Sequence, residues 1–335
     1  MEITVKLSKW WKAGRAYPTT VPGPFRVMVS KEIADQVRSW RFLILVLLIA
    51  LTAGGSVYTA FHDLSVPAKA NDPQAGLLFL KLFTLSDGSL PPFHIFIGFL
   101  GPLLGIAMGF DAVNAEQNRG TLSRLLAQPL HRDQVINAKF LAGLIVISTL
   151  FLAMGFLVTG IGIIVTGQQP GIEEFLRLLC FIGLCALYVA FWLNLAILCS
   201  VRFRQAATSA LACIAIWLFL TIFYQLLISV LAKAMMPGQY ADEGTIIHFQ
   251  QRIMDLMRLA PSQLFSDATT TLLMPSVRSL GPLSMEQMAG AIPGPLSLGQ
   301  SLLLVWPQLT GLIAASVVCF TVSYYSFMRK EVRAR

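Results

Sequence analysis

Long apolar stretches alternate along this chain with short polar ones. Six stretches carry no Lys, Arg, Asp or Glu: Phe42–Phe61, Phe93–Phe110, Phe140–Val165, Leu178–Val201, Ala206–Ala232 and Leu302–Met328. About 17 to 25 apolar residues in a helix cover the hydrocarbon core of a bilayer, and each stretch meets that length. Backbone N–H and C=O groups in lipid must pair within the segment, so apolar runs of this length are expected as helices. The pattern predicts an all-α polytopic membrane protein with six transmembrane helices, occupying residues 42–335.

The polar segments predict further elements. Residues 1–25 read as an N-terminal tail with a basic, Trp-containing start (Lys6, Lys9, Trp10, Trp11, Lys12) and a Pro-rich linker from Pro18 to Pro24. The start reads equally as an anchor on anionic lipid or a solvated tail. Over residues 26–41 an amphipathic helix is expected. Val29, Ile33, Val37 and Trp40 share one face, and Lys31, Glu32, Asp35 and Arg38 the other. Such a helix either lies in the interface plane or continues into the first span. In the outer segment 62–92, Asp72 and Pro73 would start a short helix whose Leu77–Phe83 part rests on the membrane surface. The second span contains Gly101, Gly105 and Gly109 at four-residue spacing. Stacked glycines let a second helix approach closely, within the subunit or across a dimer seam. Residues 234–301 form the longest outer segment. An amphipathic helix there ends near Ala260-Pro261, with loop and short turns expected after it.

The segment between the second and third spans stands out. Leu122, Leu125 and Leu126 fall at i, i+3 and i+4, one face of a short helix. Gly120-Thr121 supplies a break and an N-cap ahead of it, and Pro129 stops it. The leucines are expected to face water, as a docking surface.

Composition sharpens the picture. Only 13% of the 335 residues are charged against 56% hydrophobic, whereas soluble domains carry about 25% charged residues. The net charge of +8 could suggest nucleic acid, but its distribution is topological. Segments 1–41, 111–139, 202–205 and 329–335 hold 18 of the 25 Lys and Arg, and the opposite segments 62–92, 166–174 and 234–301 hold five. By the positive-inside rule both termini and the leucine-bearing segment face the cytoplasm. The polar first 41 residues are too long for a secretory n-region, so no cleaved signal peptide is expected. Cys180, Cys185, Cys199, Cys213 and Cys319 all lie in spans without metal-ligand spacing and read as buried thiols. His62, His94, His131 and His248 are scattered, so no metal site is expected. No span interior holds an ionisable residue of the kind proton- or ion-coupled carriers use. Asn194 and Gln225 are the most polar groups there, and interhelical hydrogen bonds account for them. No Gly-x-x-x-x-Gly-Lys-[Ser/Thr] loop exists, so ATP is not bound that way.

One block resembles a known family. Leu104 to Ala112, Glu116, Arg119-Gly120-Thr121-Leu122, Pro129, Arg132 and Lys139 are similar to the permease subunits of type-2 ABC transporters. The helix around Lys31-Glu32-Ile33 resembles that family's connecting helix, and Leu259 to Phe265 resembles its outer segment. The resemblance implies a dimeric pore built with a second copy or a sister permease. A cytoplasmic ATPase subunit would bind ATP and Mg, with no cofactor on this chain. A coupling helix would lie at about 114–130, with Glu116, Gly120, Thr121, Leu122, Leu125, Leu126, Pro129 and Arg132 its contact residues. Lys31, Glu32, Ile33 and Arg38 would belong to the connecting helix, and Gly101, Gly105 and Gly109 to helix packing. The implied function is ATP-driven export of a hydrophobic or amphipathic substrate across the cytoplasmic membrane, with membrane lipids and no nucleic acid as further partners. Leu296-Ser297-Leu298-Gly299-Gln300 superficially resembles the signature of ABC ATPases, but no ATPase domain surrounds it. A non-transporting scaffold or assembly factor of a maturation complex stays open as the alternative, as does a lipid-acting membrane enzyme.

Overall fold

The computed structural model describes residues 23–64, 77–85, 90–122, 131–237, 242–277 and 295–330. Helices α1 (Pro24–Val37), α2 (Trp40–Leu64), α3 (Leu78–Thr84), α4 (Phe93–Gly109) and α5 (Asn114–Asn118) come first. The long helices α6 (Arg132–Thr166) and α7 (Ile172–Arg202) follow. Then come α8 (Ala206–Leu218), a π-helical turn at Phe219–Phe223, α9 (Tyr224–Ala234), α10 (Glu243–Met257), α11 (Pro261–Leu273) and α12 (Leu298–Arg329). Among the described residues there are no strands, and six helical stretches are long and apolar enough to cross a membrane.

The helices outrun the uncharged stretches that announce them. α6 begins at Arg132 and α7 at Ile172, so Lys139 and Arg177 lie inside membrane-length helices. Each lies one residue outside the uncharged stretches expected as span interiors, 140–165 and 178–201. Both side chains are buried against protein and partnered, which removes the cost of facing lipid. α6 and α7 form a tight hairpin. Gly167, at φ +66°, caps α6 in the left-handed conformation that glycine adopts without strain.

α7 is the central helix, enclosed by α4, α6, α8, α11 and α12. In lipid, apolar burial drives helix association weakly, so close packing and hydrogen bonds must hold the bundle. The glycine stripe of α4 provides the close packing. A Cβ at Gly105 would lie 2.7 Å from the Val189 carbonyl oxygen, and one at Gly109 would lie 2.7 Å from Ala196 Cβ. Gly101 meets Val189 at 2.9 Å. The stripe therefore seats α7 of the same chain. α12 turns Ser301, Gln308, Ser316 and Ser323 inward and leaves Leu303 78% and Trp306 63% exposed. Polar groups inside and apolar groups outside is the polarity expected of a helix whose outer solvent is lipid.

Two outer elements differ from expectation. The Leu77–Phe83 stretch forms α3, but Phe79, Leu80, Leu82 and Phe83 are at most 1% exposed. It packs against α2, α4 and α6 instead of lying on the membrane surface, and the Phe79 amide donates to Glu174 Oε1 at 3.1 Å. Asp72 and Pro73 lie outside the described residues. Residues 261–273, expected as loop, form α11. Pro261 sits at the first position, where its fixed φ favours a helix start. Pro261, Phe265, Ala268 and Leu272 then form one buried stripe, and Phe265 stacks on Tyr188 at 4.3 Å. Ser297 caps α12, accepting from the Gln300 amide while Gln300 Oε1 accepts from the Ser297 amide. The signature-like Leu296–Gln300 stretch is thus a capping box.

Candidate functional site

The site follows from where the chain leaves α4. Past Gly109 the helix breaks into turns, and the amides of Val113 and Asn114 donate to Ser200 Oγ at 2.9 and 3.1 Å. Asn114 Nδ2 donates to the Phe110 carbonyl. α5 then runs for one turn, and Asn118 Nδ2 donates to the Arg204 carbonyl at 2.9 Å. The segment is pinned to the C-terminal end of α7 and to the turn after it. Asp111 pairs with Arg41 at 2.6 Å, and the Arg41 guanidinium lies 4.8 Å from the centre of the Phe110 ring.

Four charged side chains from three elements meet beside it. Lys139 Nζ of α6 donates to Glu116 Oε1 at 2.8 Å and to both oxygens of Glu32 at 3.2 Å. Its side chain is 3% exposed. Lys31 stands on the outer rim, 2.9 Å from Glu32, 3.1 Å from Asp35 and 3.5 Å from Glu116. Burial alone would lower the Lys31 pKa. Hydrogen bonds to Glu32 and Asp35 and the charges of Glu32 and Glu116 more than offset that, so it is raised above the ordinary lysine value. Charge-assisted bonds of this kind are short and directional, so α1, α5 and α6 are fixed to one another here.

The structure revises the expected faces of α1. Met28, Val29 and Glu32 are its buried residues, Ile33 is half-buried, and Val37 and Trp40 are exposed. Glu32, expected on the solvent face, points inward because Lys139 awaits it there. α1 ends at Val37 and α2 begins at Trp40, so the expected helix over 26–41 is interrupted at Arg38-Ser39. Arg38 is exposed at that break.

Helix 114–130 is not continuous in its described part. Gly120, at φ +69°, interrupts it after α5, and helical backbone resumes at Thr121. Thr121 Oγ1 donates to the Glu116 carbonyl at 3.2 Å, and the turn it was expected to cap lies outside the described residues. Leu122, expected to face water, is 1% exposed and joins the core. Leu125, Leu126 and Pro129 lie outside the described residues. Arg132 starts α6, and its guanidinium donates to the Lys330 carbonyl at 3.5 Å. Glu32, Lys31 and Glu116 are thus brought together, while Arg38 and Arg132 stand apart from them. Sequence reasoning did not single out Lys139 as a site residue. The available signal was a lone cation flanked by Ala138 and Phe140 at the mouth of an apolar run.

These contacts, with those of α12, place residues 24–41, 111–122, 131–139, 202–204 and 329–330 at one end of the bundle. At the other end Arg177 is fully buried. It donates to the carbonyls of Leu272 and Leu296, to Ser301 Oγ and to Glu173 at 2.6 to 3.1 Å. Arg258 bridges Asp255 and Asp267 nearby on α10 and α11. Asn194 Nδ2 reaches the Ser316 carbonyl, and Gln225 Nε2 reaches Gln263 Oε1 beside the Arg258–Asp267 pair, each at 3.4 Å. Both join elements across the bundle.

Comparison with known proteins agrees with this architecture. A probable ABC transporter permease protein NosY of Stutzerimonas stutzeri is 30% identical over 142 residues, 42% of this chain and 46% of that protein. The protein of the same name from Pseudomonas aeruginosa is 28% identical over 200 residues, 58% of this chain and 66% of that protein. The matches thus span about half to two thirds of these relatives. The family profile described as ABC-2 family transporter protein matches residues 26–332, from α1 through the end of α12. This multi-pass membrane chain belongs to the ABC-2 transporter family.

Proposed function

We propose that this chain is the membrane-spanning permease of an ATP-driven exporter in the cytoplasmic membrane. The cargo is hydrophobic or amphipathic, both termini are cytoplasmic, and a separate ATPase subunit binds and hydrolyses ATP with Mg. A second copy or a sister permease completes the pathway. The observation that carries the reading is the family match over residues 26–332. The names of the relatives support it, and so does the missing phosphate loop.

The ion cluster supports a route for force. A partner seated on the 114–130 segment would move Glu116, and Glu116 is tied through Lys139 to α6 and, with Glu32, to α1. Asn118 carries the same displacement to the turn between α7 and α8. Rigid ties of this kind turn a local push into movement of whole helices. The buried charges at both ends are internally paired, so the reading needs no ion coupling.

The test is reconstitution in proteoliposomes with and without the cognate ATPase. The chain alone hydrolyses no ATP above background, and the pair hydrolyses ATP and moves cargo. Glu116→Gln keeps the ATPase bound but separates hydrolysis from transport. Leu125→Asp with Leu126→Asp releases the ATPase, each leucine forfeiting burial worth about 1.5 to 3 kcal/mol. ATPase binding that survives the double substitution refutes the coupling role of that segment. A reconstituted pair that never moves cargo turns the reading toward a scaffold.

A further inference from the structure

The apolar runs of α7 and α12 end together, at Val201 and Met328, and the chain then continues as Arg202-Phe203-Arg204 and Arg329-Lys330. The fold gathers these cations. Lys330 Nζ donates to the Val201 carbonyl at 2.7 Å, capping one of the orphan carbonyls at the end of α7. Arg132 of α6 reaches the Lys330 carbonyl from the side. Arg202, Arg204, Arg132 and Arg329 are exposed. Among the described residues, no carboxylate forms an ion pair with any of these five cations, as with Arg26, Arg38 and Arg119, whereas Lys31, Arg41 and Lys139 at the same end each have one. Burial, followed by the positive charges of Arg204 and Arg202, holds the Lys330 ammonium below the ordinary lysine pKa. What sets this group apart is that like charges from two helix ends stand close enough to act on one another, without the carboxylates that meet Lys31, Arg41 and Lys139.

The position identifies the missing anion. Where apolar runs stop, a spanning helix reaches the headgroup layer, and aromatic side chains favour that depth. Tyr325 is exposed with the Arg329 guanidinium 4.3 Å over its ring, and Phe203 is exposed beside the two arginines. Arginine suits a phosphodiester because its planar fork donates two parallel hydrogen bonds. A zwitterionic lipid brings its own cation and leaves the repulsion in place, whereas a net-anionic lipid removes it.

We propose that Arg202, Arg204 and Lys330, with Arg132 at their flank, seat the phosphate of an anionic glycerophospholipid at the α1 end of the bundle. The site is separate from the Lys139 cluster and does not depend on the transport reading.

The experiment uses the full chain in nanodiscs of phosphatidylcholine containing a minor fraction of phosphatidylglycerol, with retained lipid measured after detergent stripping. Wild type retains phosphatidylglycerol over phosphatidylcholine. Arg202→Gln with Arg204→Gln weakens that preference roughly thirtyfold, the size expected for two surface cations. Arg204→Gln alone weakens it about fivefold and keeps the test valid if the double variant misfolds. Melting in pure phosphatidylcholine discs establishes folding. Arg26→Gln with Arg38→Gln removes two exposed cations from α1 at the same end and leaves the preference intact. An equal loss in that control, or an unchanged preference in the Arg202/Arg204 variants, overturns the proposal. So does displacement of phosphatidylglycerol by millimolar inorganic phosphate, which would mark a free-anion site. Loss of ATPase co-purification without loss of lipid preference would assign the surface to a protein partner and overturn it as well.

Discussion

Replacing Lys139 by methionine tests the ion cluster most directly. The side chain is 3% exposed, against 9% for Glu32 and 16% for Glu116, so the substitution strands two carboxylates in a water-poor pocket. Removing one partner of a buried pair costs about 3–5 kcal/mol, because the remaining charge keeps its desolvation penalty. Lys31 still reaches both carboxylates, at 2.9 and 3.5 Å, but it is 48% exposed. Its attraction is screened and recovers roughly 0.2–1 kcal/mol. The expected loss is about 2–5 kcal/mol. Lys139→Met with Glu32→Gln and Glu116→Gln keeps the volume, removes the three least exposed charges and leaves Lys31 paired with Asp35, so it recovers most of that loss. The assay is reversible unfolding in mixed micelles followed by tryptophan fluorescence, on wild type, single and triple variants. A single variant within about 0.5 kcal/mol of wild type, or a triple variant no more stable than the single, refutes internal compensation.

The other predictions concern packing, the opposite end and orientation. Gly105→Ala forces a methyl to 2.7 Å from the Val189 carbonyl oxygen and 2.9 Å from the Leu193 amide, and costs about 1–3 kcal/mol or more in the same assay. Gly183→Ala, with nothing within 4 Å, is neutral or stabilising by about 0.5–1 kcal/mol, the helix preference of alanine. Equal effects at the two glycines would refute close α4–α7 packing. Arg177→Met strands the carbonyls of Leu272 and Leu296, each left unpaired at a cost of about 1–3 kcal/mol. Faster amide exchange across residues 261–273 and 298–305 is the readout, and unchanged exchange counts against the tie. On a Cys-free background Arg119→Cys labels only from the cytoplasm and Ser276→Cys only from outside, both positions being exposed. Reversed labelling refutes the proposed orientation.

Apolar run length alone placed the six crossings, because lipid demands about 20 apolar residues in a helix wherever in the fold that helix sits. The polar segment after Gly109 and the glycine stripe were legible for the same local reason. What local pattern could not decide was partnership. A charge ends an apolar run on paper, yet Lys139 and Arg177 continue their helices because carboxylates and carbonyls distant in sequence receive them. Glu32 reads as solvent-facing until Lys139 is folded beside it, and Leu122 reads as a docking residue until the core closes over it. Leu77–Phe83 reads as an interfacial helix for the same reason. The period of Phe265, Ala268 and Leu272 was present in the sequence but was masked by the Pro, Ser and Thr around it. Spacing showed that the glycine stripe would accept a close neighbour, and only the tertiary structure shows that the neighbour is α7. The sequence by itself determined which residues live in lipid. The fold decided which charges and small residues meet, since those contacts join residues from 23 to 119 positions apart, beyond the reach of any local period.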